Sequence, residues 1–360
     1  MNALLAPASV AELVDAVRSA PRVLALGAGT KPRLSQVSAL KITTTRLHGI
    51  IEYEPSEFTF TALAGTTIRD IAQTLAAKGQ YLPFDPMLIN VGATLGGTLA
   101  AGLSGPGRFR FGGLKDFILG ARFVDGAGRL LRLGGKVVKN AAGFDLPKFF
   151  VGSLGRFGVL AELTFKVFPA PASTITLKLT GSDTATAVRI LIEAAKSRWE
   201  PVALDILPDT NDLCMRLAGP APALEVIARE ALARWPGEKL AEETAEKLWT
   251  SLREFGWAHA EGPLIKVPIT TGTLPAFVTA VKSQPEPRIH VSSGGNVAFV
   301  SFPNEKGISS LSDQLSQLGL SGLTLRGEGP LWYGAQRKSS IAQAVKTALD
   351  SQGRFPGLDE

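Results

Sequence analysis

Cysteine and histidine are both scarce in this chain. Its 360 residues include one cysteine, Cys214, and three histidines, His48, His259 and His290. A single thiol excludes an internal disulfide, and it excludes an iron–sulfur cluster, which needs about four thiolate ligands. Cys214 lies in an Asp-Leu-Cys-Met-Arg-Leu context and is interpreted as a small buried side chain. The histidines are scattered, with no His-x-His pair, so we expect no metal site.

Long apolar runs and dense basic runs are absent as well. No apolar stretch approaches the ~18 residues of a membrane span, and the first residues lack the pattern of a secretion signal. The net charge of +6 is dispersed, without basic runs interleaved with aromatic residues. We therefore expect no nucleic-acid binding and a cytoplasmic protein. The positive charge favours docking on an acidic partner or, through partners, at the inner face of a membrane.

Glycine is abundant, with 38 residues, and it is dense from about residue 91 to residue 169. Glycine costs backbone entropy, so an ordered segment rich in it usually has backbone lying close to another group. The segment Gly92–Thr98 combines small side chains with hydroxyls, a combination that favours a phosphate held by backbone N–H groups. The alternative is a series of tight turns in an all-β region.

A second glycine-rich loop lies upstream. Residues 22–26 form a buried-strand pattern and are followed at once by Gly-Ala-Gly-Thr-Lys-Pro at Gly27–Pro32. A Rossmann fingerprint needs a third glycine and an acidic residue about 20 positions later. Here Pro32 takes the place of that glycine, and no Asp or Glu occurs between Gly27 and Ile51. The loop is therefore not a Rossmann motif.

The two loops, in this order and about 65 residues apart, resemble those of the vanillyl-alcohol oxidase superfamily, which includes the p-cresol methylhydroxylase (PCMH) type of FAD-binding domain. In that family the first loop surrounds the FAD pyrophosphate, the second closes on it, and a later strand passes the ribityl and adenine portions. The resemblance implies FAD contacts at Gly27, Ala28, Gly29, Thr30, Lys31, Pro32, Gly92, Ala93, Thr94, Gly96, Gly97, Thr98, Gly102, Ser104, Gly105, Gly158 and Val159.

Two further segments, residues 136–145 and 150–155, are similar to the flavoprotein subunits of bacterial glycolate oxidase. The chain's length favours the smaller, flavin-binding E subunit of that family. The resemblance implies a larger catalytic flavoprotein subunit and an iron–sulfur subunit as partners, with a small 2-hydroxyacid as substrate of the complex. Family members that tether their flavin often use a histidine in the first loop, where this chain has Thr30. We therefore expect noncovalent FAD.

The expected fold is α+β. The resemblance implies a two-subdomain FAD-binding domain over residues 1–170, an α+β cap with an antiparallel sheet over residues 171–325, and a C-terminal segment, residues 326–360, that returns to the FAD domain. The capping box Ser9-x-x-Glu12 predicts a helix from Val10. In the cap, helical and strand patterns alternate, and Ser293–Asn296 predicts a hairpin turn, with helices covering one face of the sheet.

Candidate chemical groups outside the loops are few. Glycolate- and lactate-oxidising relatives carry a cap metal site of clustered histidines, which this sequence lacks; this departure argues against independent substrate oxidation. His290 is interpreted as structural. Lys136 and Lys139 are either cations near the flavin or surface lysines, and Asp145 is expected to pair locally.

Arg288 and Arg326 are the cap cations best suited to an anionic substrate. Phe109 and Phe111 pack on either cofactor or core. No residue is assigned a catalytic role. Two alternatives to the subunit hypothesis stay open: a stand-alone FAD-dependent alcohol or hydroxyacid oxidase, and a scaffold subunit that has the fold but binds no cofactor.

Overall fold

The computed structural model describes residues 4–135, 146–306, 308, 310–335 and 339–360. These residues form two compact units. Unit 1 comprises Met1–Ser104, Gly113–Ala170 and Arg337–Glu360, and unit 2 comprises Gly105–Gly112 and Pro171–Gln336. The domain boundaries expected from the sequence, after residues 170 and 325, stay a prediction.

Helices occur in both units. They are α1 Val10–Arg18, α2 Ile68–Ala76, α3 Leu95–Ala101, α4 Arg108–Phe111, α5 Leu114–Phe117, α6 Thr184–Ala195, α7 Ala221–Arg234, α8 Glu242–Glu254, α9 Leu274–Lys282, α10 Leu311–Gln317 and α11 Ser340–Leu349. Short 3₁₀ helices occupy Pro32–Ser35, Pro55–Glu57 and Leu146–Phe150.

Strands also occur in both units. They are β1 Leu4–Leu5, β2 Val23–Leu26, β3 Leu40–Thr43, β4 Ile50–Glu54, β5 Thr59–Leu63, β6 Gln80–Tyr81, β7 Ile118–Val124, β8 Leu130–Gly134, β9 Val159–Lys166, β10 Phe168–Pro169, β11 Ser173–Leu179, β12 Ala203–Ile206, β13 Leu213–Gly219, β14 Gly237–Lys239, β15 Leu264–Pro268, β16 Arg288–Ser292, β17 Val297–Ser301, β18 Ser321–Arg326 and β19 Trp332–Gly334.

Unit 1 contains a small parallel sheet and a larger antiparallel one. In the first, β3 lies between β1 and β2 and is parallel to both. In the second, the strand order is β4-β5-β9-β7-β8, and neighbouring strands are antiparallel. A short antiparallel pair, β6 and β10, completes the strands of this unit. Unit 1 therefore contains two separate sheets besides this pair, one parallel and one antiparallel.

Local sequence accounts for the helices of unit 1. At the start of α1, the Ser9 hydroxyl accepts a hydrogen bond from the Glu12 N–H, and the Glu12 carboxylate accepts one from the Ala8 N–H. Each side chain thus satisfies a backbone donor that the helix cannot. Thr67 caps α2 in the same way, through the N–H of Asp70. The predicted helix start, Val10 with Ser9 as N-cap, is confirmed, whereas the Glu12 carboxylate bonds the N–H of Ala8 and not that of Ser9.

The C-terminal segment completes the core of unit 1. Phe355 is 2% exposed and packs in a cluster with residues of α1, β2, β7 and β9, including Leu13 and Val159. The Asp350 carboxylate, 4% exposed, accepts hydrogen bonds from Lys346 Nζ at 2.5 Å and from the N–H groups of Arg354 and Phe355 at 2.8 and 3.0 Å. This buried ion pair holds the turn that follows α11.

Unit 2 is built on a nine-stranded antiparallel sheet with strand order β14-β11-β13-β12-β16-β17-β15-β18-β19. Apolar residues from one face of the sheet and from α6, α7, α9 and α10 form its core. The Ser293–Asn296 turn joins β16 to β17 as the sequence predicts. The α+β fold class, with an antiparallel cap sheet, is confirmed.

Helix α8 lies on the opposite face of that sheet. Trp249 on α8 donates a hydrogen bond to Thr176 Oγ1 at 2.9 Å. Thr176 lies between Ile175 and Leu177, which pack into the core cluster, so its side chain points to the other face. The expectation that helices cover only one face is therefore wrong. Among the described residues, no helix is both long and apolar enough to span a bilayer.

Replacing Asp350 with alanine should destabilise the protein by about 3–5 kcal/mol, because Lys346 is left buried without its counter-charge. Chemical denaturation followed by circular dichroism measures this loss. Asp359→Ala is the matched control, since Asp359 is exposed, and it should change stability by less than about 0.5 kcal/mol. Equal denaturation midpoints for the two variants would show that the buried pair does not anchor the segment.

Candidate functional site

A cavity of about 80 Å³, partly open to solvent, lies in unit 1, close to the ends of both glycine-rich segments. Most of its lining side chains are small. The lining residues are Ala25, Leu26, Gly27, Ala28, Gly29, Thr30, Lys31, Leu34, Ser35, Thr44, Ala64, Thr94, Gly96, Gly97, Ala100, Ala101, Ser153, Leu154, Gly155, Gly158 and Leu160.

The first loop, residues 27–31, follows the carboxyl end of β2. It is fixed from behind, because Thr43 Oγ1 donates to the Gly27 carbonyl at 3.1 Å and the Thr44 N–H donates to the Leu26 carbonyl at 2.9 Å. Gly29 adopts φ +71°, a left-handed conformation that favours glycine. The N–H groups of residues 27–31 donate to no atom of the described residues. They are therefore available to a ligand.

The second glycine-rich segment has a different local structure. Thr94 is the N-cap of α3, and its hydroxyl accepts a hydrogen bond from the Gly97 N–H. The Leu95 and Gly96 N–H groups donate to the carbonyls of Thr66 and Ala64 at 2.9 and 2.8 Å. The N–H groups at this helix start are thus used within the protein. The segment forms a wall of the cavity, and the free donors belong to the first loop.

Missing β-carbons let the two segments touch. A β-carbon on Gly27 would lie 2.4 Å from Thr94 Oγ1 and 3.3 Å from the Gly97 Cα. One on Gly97 would lie 3.0 Å from Thr94 Oγ1, and one on Gly96 would lie 2.9 Å from the Ala64 Cβ. These separations are too short for any side chain without rearrangement. The glycines are required by contact between loops, in addition to any close approach of a ligand.

A third side of the cavity is formed by residues 153–160. Gly155 has φ +76°, and a β-carbon on Gly158 would lie 2.8 Å from the Phe123 ring. Between them, Arg156 is 1% exposed and donates to the carbonyls of Leu154 and Glu360. Burial lowers the pKa of Arg156 to about 10. This arginine supports the loop from behind and is not among the lining residues.

The cavity brings together only part of the residue set expected to contact FAD. Those that line it are Gly27, Ala28, Gly29, Thr30, Lys31, Thr94, Gly96, Gly97 and Gly158. Those that do not line it are Pro32, Gly92, Ala93, Thr98, Gly102, Ser104, Gly105 and Val159. Gly105 belongs to unit 2. The assignment of FAD contacts residue by residue stays a prediction.

Several lining residues carried no recognisable signal in the sequence. Ala64 follows β5, Ala100 and Ala101 end α3, and Ser153 and Leu154 begin the third side. Small apolar side chains have no chemistry to single them out. The strand pairing of β5 with β9 is what places Ala64 beside α3, and only a three-dimensional structure shows it.

His290 in unit 2 has a buried acidic neighbour. His290 Nε2 lies 2.8 Å from Asp205 Oδ2, and both side chains are fully buried. The Ser292 hydroxyl and the Ser293 N–H donate to the same carboxylate at 2.8 and 2.9 Å. Asp205 on β12 is 85 residues away in the chain, so the sequence gives no sign of this pairing. The structural interpretation of His290 agrees with this buried network.

The other cap candidates hold the fold of unit 2. Arg288 donates to the Trp257 carbonyl at 2.8 Å, and Arg326 donates to the carbonyls of Gly262 and His259. Phe109 packs at the edge of the unit 2 core. Cys214 is buried in β13, and burial raises the pKa of its thiol, as expected for a structural side chain.

Some expectations fall on residues that are not described. Lys136, Lys139 and Asp145 lie outside the described residues. Within the described ranges, no three His, Cys, Asp or Glu side chains lie close enough to hold a metal ion.

Sequence comparison identifies the first part of the chain. Residues 1–134 match the family described as FAD binding domain. The chain carries an FAD binding domain. FAD is thus the cofactor of unit 1, which contains the cavity.

Curated relatives extend the comparison beyond the FAD binding domain. The chain is 37% identical over 235 residues to glycolate oxidase subunit GlcE of Escherichia coli, covering 63% of this chain and 62% of the relative. It is 28% identical over 161 residues to glycolate oxidase subunit GlcD of Bacillus subtilis, covering 45% and 34%. The matched stretches thus span less than two thirds of either relative.

Solved structures show the same fold. Alkyldihydroxyacetonephosphate synthase aligns with a TM-score of 0.71 at 16% identity, covering 97% of this chain and 76% of that one. At this identity the match establishes the fold alone. The chain thus shares its fold with that enzyme.

The cavity fits the phosphate portion of FAD. Free N–H donors of the first loop are the groups that oxygen anions of a pyrophosphate accept from. Gly29 has no atom within 4 Å of where its β-carbon would stand, so this side of the loop is open. Bound FAD supplies two-electron redox chemistry. Residues 27–31 would hold its phosphates, and the start of α3 would support them.

Replacing Gly97 with valine should weaken FAD retention, because its β-carbon would lie 3.0 Å from Thr94 Oγ1 and 3.7 Å from the Gly27 Cα, with little room for the two methyl groups beyond it. Overpacking of this kind costs about 1–3 kcal/mol, equivalent to roughly 5- to 150-fold in affinity. The ratio of flavin to protein absorbance after gel filtration measures retention. Gly272→Val is the control, since a β-carbon at Gly272 meets only Thr270 Oγ1, at 3.8 Å. Parent-like retention by Gly97→Val would contradict the two-loop assignment.

Proposed function

We propose that this chain is the noncovalent FAD-binding subunit of a glycolate oxidase-like 2-hydroxyacid dehydrogenase. In this proposal it works beside a larger catalytic flavoprotein subunit, and electrons from the 2-hydroxyacid leave the complex through an iron–sulfur subunit. The reaction class is oxidation of a CH–OH donor. The chain's part is to hold FAD and to take part in the transfer of electrons.

The observation that supports this most is the 37% identity to glycolate oxidase subunit GlcE over 235 residues. That match extends well beyond the FAD binding domain at residues 1–134. Other relatives are oxidoreductases acting on similar alcohols, such as the D-lactate dehydrogenase of Anaerostipes hadrus, 32% identical over 136 residues. Together they favour a 2-hydroxyacid as the substrate class of the complex.

A stand-alone oxidase is the second candidate. It would need its own groups to bind and deprotonate a hydroxyacid. The residues best suited to that task are engaged elsewhere: His290 is bonded to Asp205, and Arg288 and Arg326 are bonded to backbone carbonyls. Only one cysteine is present, so electron exit through an iron–sulfur centre requires another protein. These observations favour a subunit over an independent enzyme.

A cofactor-free scaffold is the third candidate. A scaffold would have no need for unpaired N–H groups at a glycine loop or for a cavity beside that loop. The free donors of residues 27–31 and the surrounding cavity therefore favour a chain that binds its cofactor.

The purified protein should be yellow, and acid or heat should release all of its FAD into the supernatant, because Thr30 stands where tethering relatives carry histidine. Absorbance of the supernatant and pellet after precipitation measures the partition. A colourless protein that takes up no added FAD would favour the scaffold. Flavin that stays with the precipitated polypeptide would contradict noncovalent binding.

The isolated chain should reduce an artificial dye with glycolate or D-lactate at least about 100-fold more slowly than the same chain co-purified with proteins encoded beside it, since a missing catalytic group typically costs that much or more. Steady-state dye reduction compares the two preparations at equal FAD content. Equal turnover with and without partners would make the stand-alone oxidase the better assignment.

A further inference from the structure

Lys31, the last residue of the first loop, is a cation that has no anionic partner among the described residues. It is the only ionisable residue among those lining the cavity. Its Nζ donates to the neighbouring Thr30 hydroxyl at 2.8 Å, and within the described residues no carboxylate pairs with it. A partly buried ammonium group that lacks a counter-charge is costly. Burial accordingly lowers the pKa of Lys31 to about 8.

The elements around Lys31 offer no compensating negative charge. Strands β2 and β5 and helix α3 contain no ionisable residue. The charged residue on the adjacent 3₁₀ helix is Arg33, and that of the 153–158 loop is Arg156, so both are cationic. The only described cause of the lowered Lys31 pKa is burial.

Two carboxylates of unit 1, Glu360 and Glu162, already have partners. Glu360 pairs with Arg22 and lies against Arg156. On β9, Glu162 pairs with Arg122, and on β3 the charged residue is Lys41. The cavity therefore presents neutral N–H donors and one unpaired cation to whatever enters it.

We propose that Lys31 supplies the counter-charge for the pyrophosphate of the bound dinucleotide, so that FAD binding is coupled to protonation of this lysine. The inference rests on the proposed function in one respect, namely that the cavity binds FAD. The N–H groups of the first loop orient phosphate oxygens but carry no net charge. Lys31 adds the full positive charge that a doubly negative ligand requires.

The direction of the pH effect follows from the two states of Lys31. In the free protein the lysine loses its proton as the pH rises through about 8. A bound pyrophosphate favours the charged form and raises that pKa. Binding therefore takes up a proton at alkaline pH, and affinity for FAD falls as the pH rises above about 8. If the bound pKa is at least that of a free lysine, the loss between about pH 7 and about pH 9 is about tenfold.

The test is a titration of flavin-free protein with FAD, ADP and riboflavin from about pH 6.5 to about pH 9. Fluorescence quenching or calorimetry gives each dissociation constant, and calorimetry in two buffers of different ionisation enthalpy gives the protons taken up. FAD and ADP share the diphosphate and should share the loss above pH 8. Riboflavin lacks it, and its binding should not change with pH.

Three variants separate charge from structure. Lys31→Met should weaken FAD binding at pH 7 by about tenfold to a hundredfold and abolish the pH dependence. Lys31→Arg keeps the charge at every pH used, so affinity should be retained and the pH dependence lost. Lys78→Met is the matched control, because Lys78 is an exposed lysine of the same unit. Thermal melts of all variants identify any that is misfolded.

The outcomes are distinguishable. FAD affinity that is constant from pH 6.5 to 9, or unchanged in Lys31→Met, overturns the role of Lys31 while the proposed function stands. A parent protein that binds no FAD at any pH overturns both. Loss of affinity in Lys31→Met without loss of the pH dependence would assign the titrating group elsewhere and contradict the coupling.

Discussion

The cavity depends on one steric constraint, the absence of β-carbons where the first loop meets the start of α3. A β-carbon on Gly27 would lie 2.4 Å from Thr94 Oγ1, so only glycine lets the loop backbone meet the start of α3 there; a β-carbon on Gly97 would be tight against the same hydroxyl, at 3.0 Å. This contact closes one side of the cavity. At this contact the Thr94 hydroxyl caps α3 by accepting a hydrogen bond from the Gly97 N–H.

The two glycine-rich segments differ in the hydrogen-bond donors that they leave free for a ligand. Donors at the start of α3 are consumed by the carbonyls of Ala64 and Thr66 and by Thr94, which makes this segment rigid but unable to offer hydrogen bonds. The first loop, in contrast, offers free N–H groups and one cation, Lys31, whose Nζ donates to the Thr30 hydroxyl. A rigid wall facing a donor-rich loop is a suitable arrangement for a ligand with one charged portion and a long uncharged remainder.

Local chemistry made much of this predictable from the sequence. Caps at Ser9 and Thr67, the Ser293–Asn296 turn and the two glycine loops all follow from residues close together in the chain, and the first loop contributes most of the expected lining residues. The misses are non-local.

Contacts between distant residues account for the remaining errors. Asp205 reaches His290 only because β12 pairs with β16. The donors of α3 are occupied because the carbonyl of Ala64, about 30 residues upstream, happens to face them. Neither a hydrophobic period nor a motif encodes such pairings, since both depend on which strands become neighbours.

The return of the C-terminal segment to unit 1 has a consequence for synthesis of the protein. The amide of Val23 donates to the carbonyl of Arg354, and Phe355 fills a position beside Leu13 and Val159. Helix α1 emerges from the ribosome first, yet the core that it packs into lacks the Phe355 side chain until more than 300 further residues have been translated. Unit 2 has all of its strands before that point. During synthesis, unit 2 can therefore complete its sheet before unit 1 can complete its core.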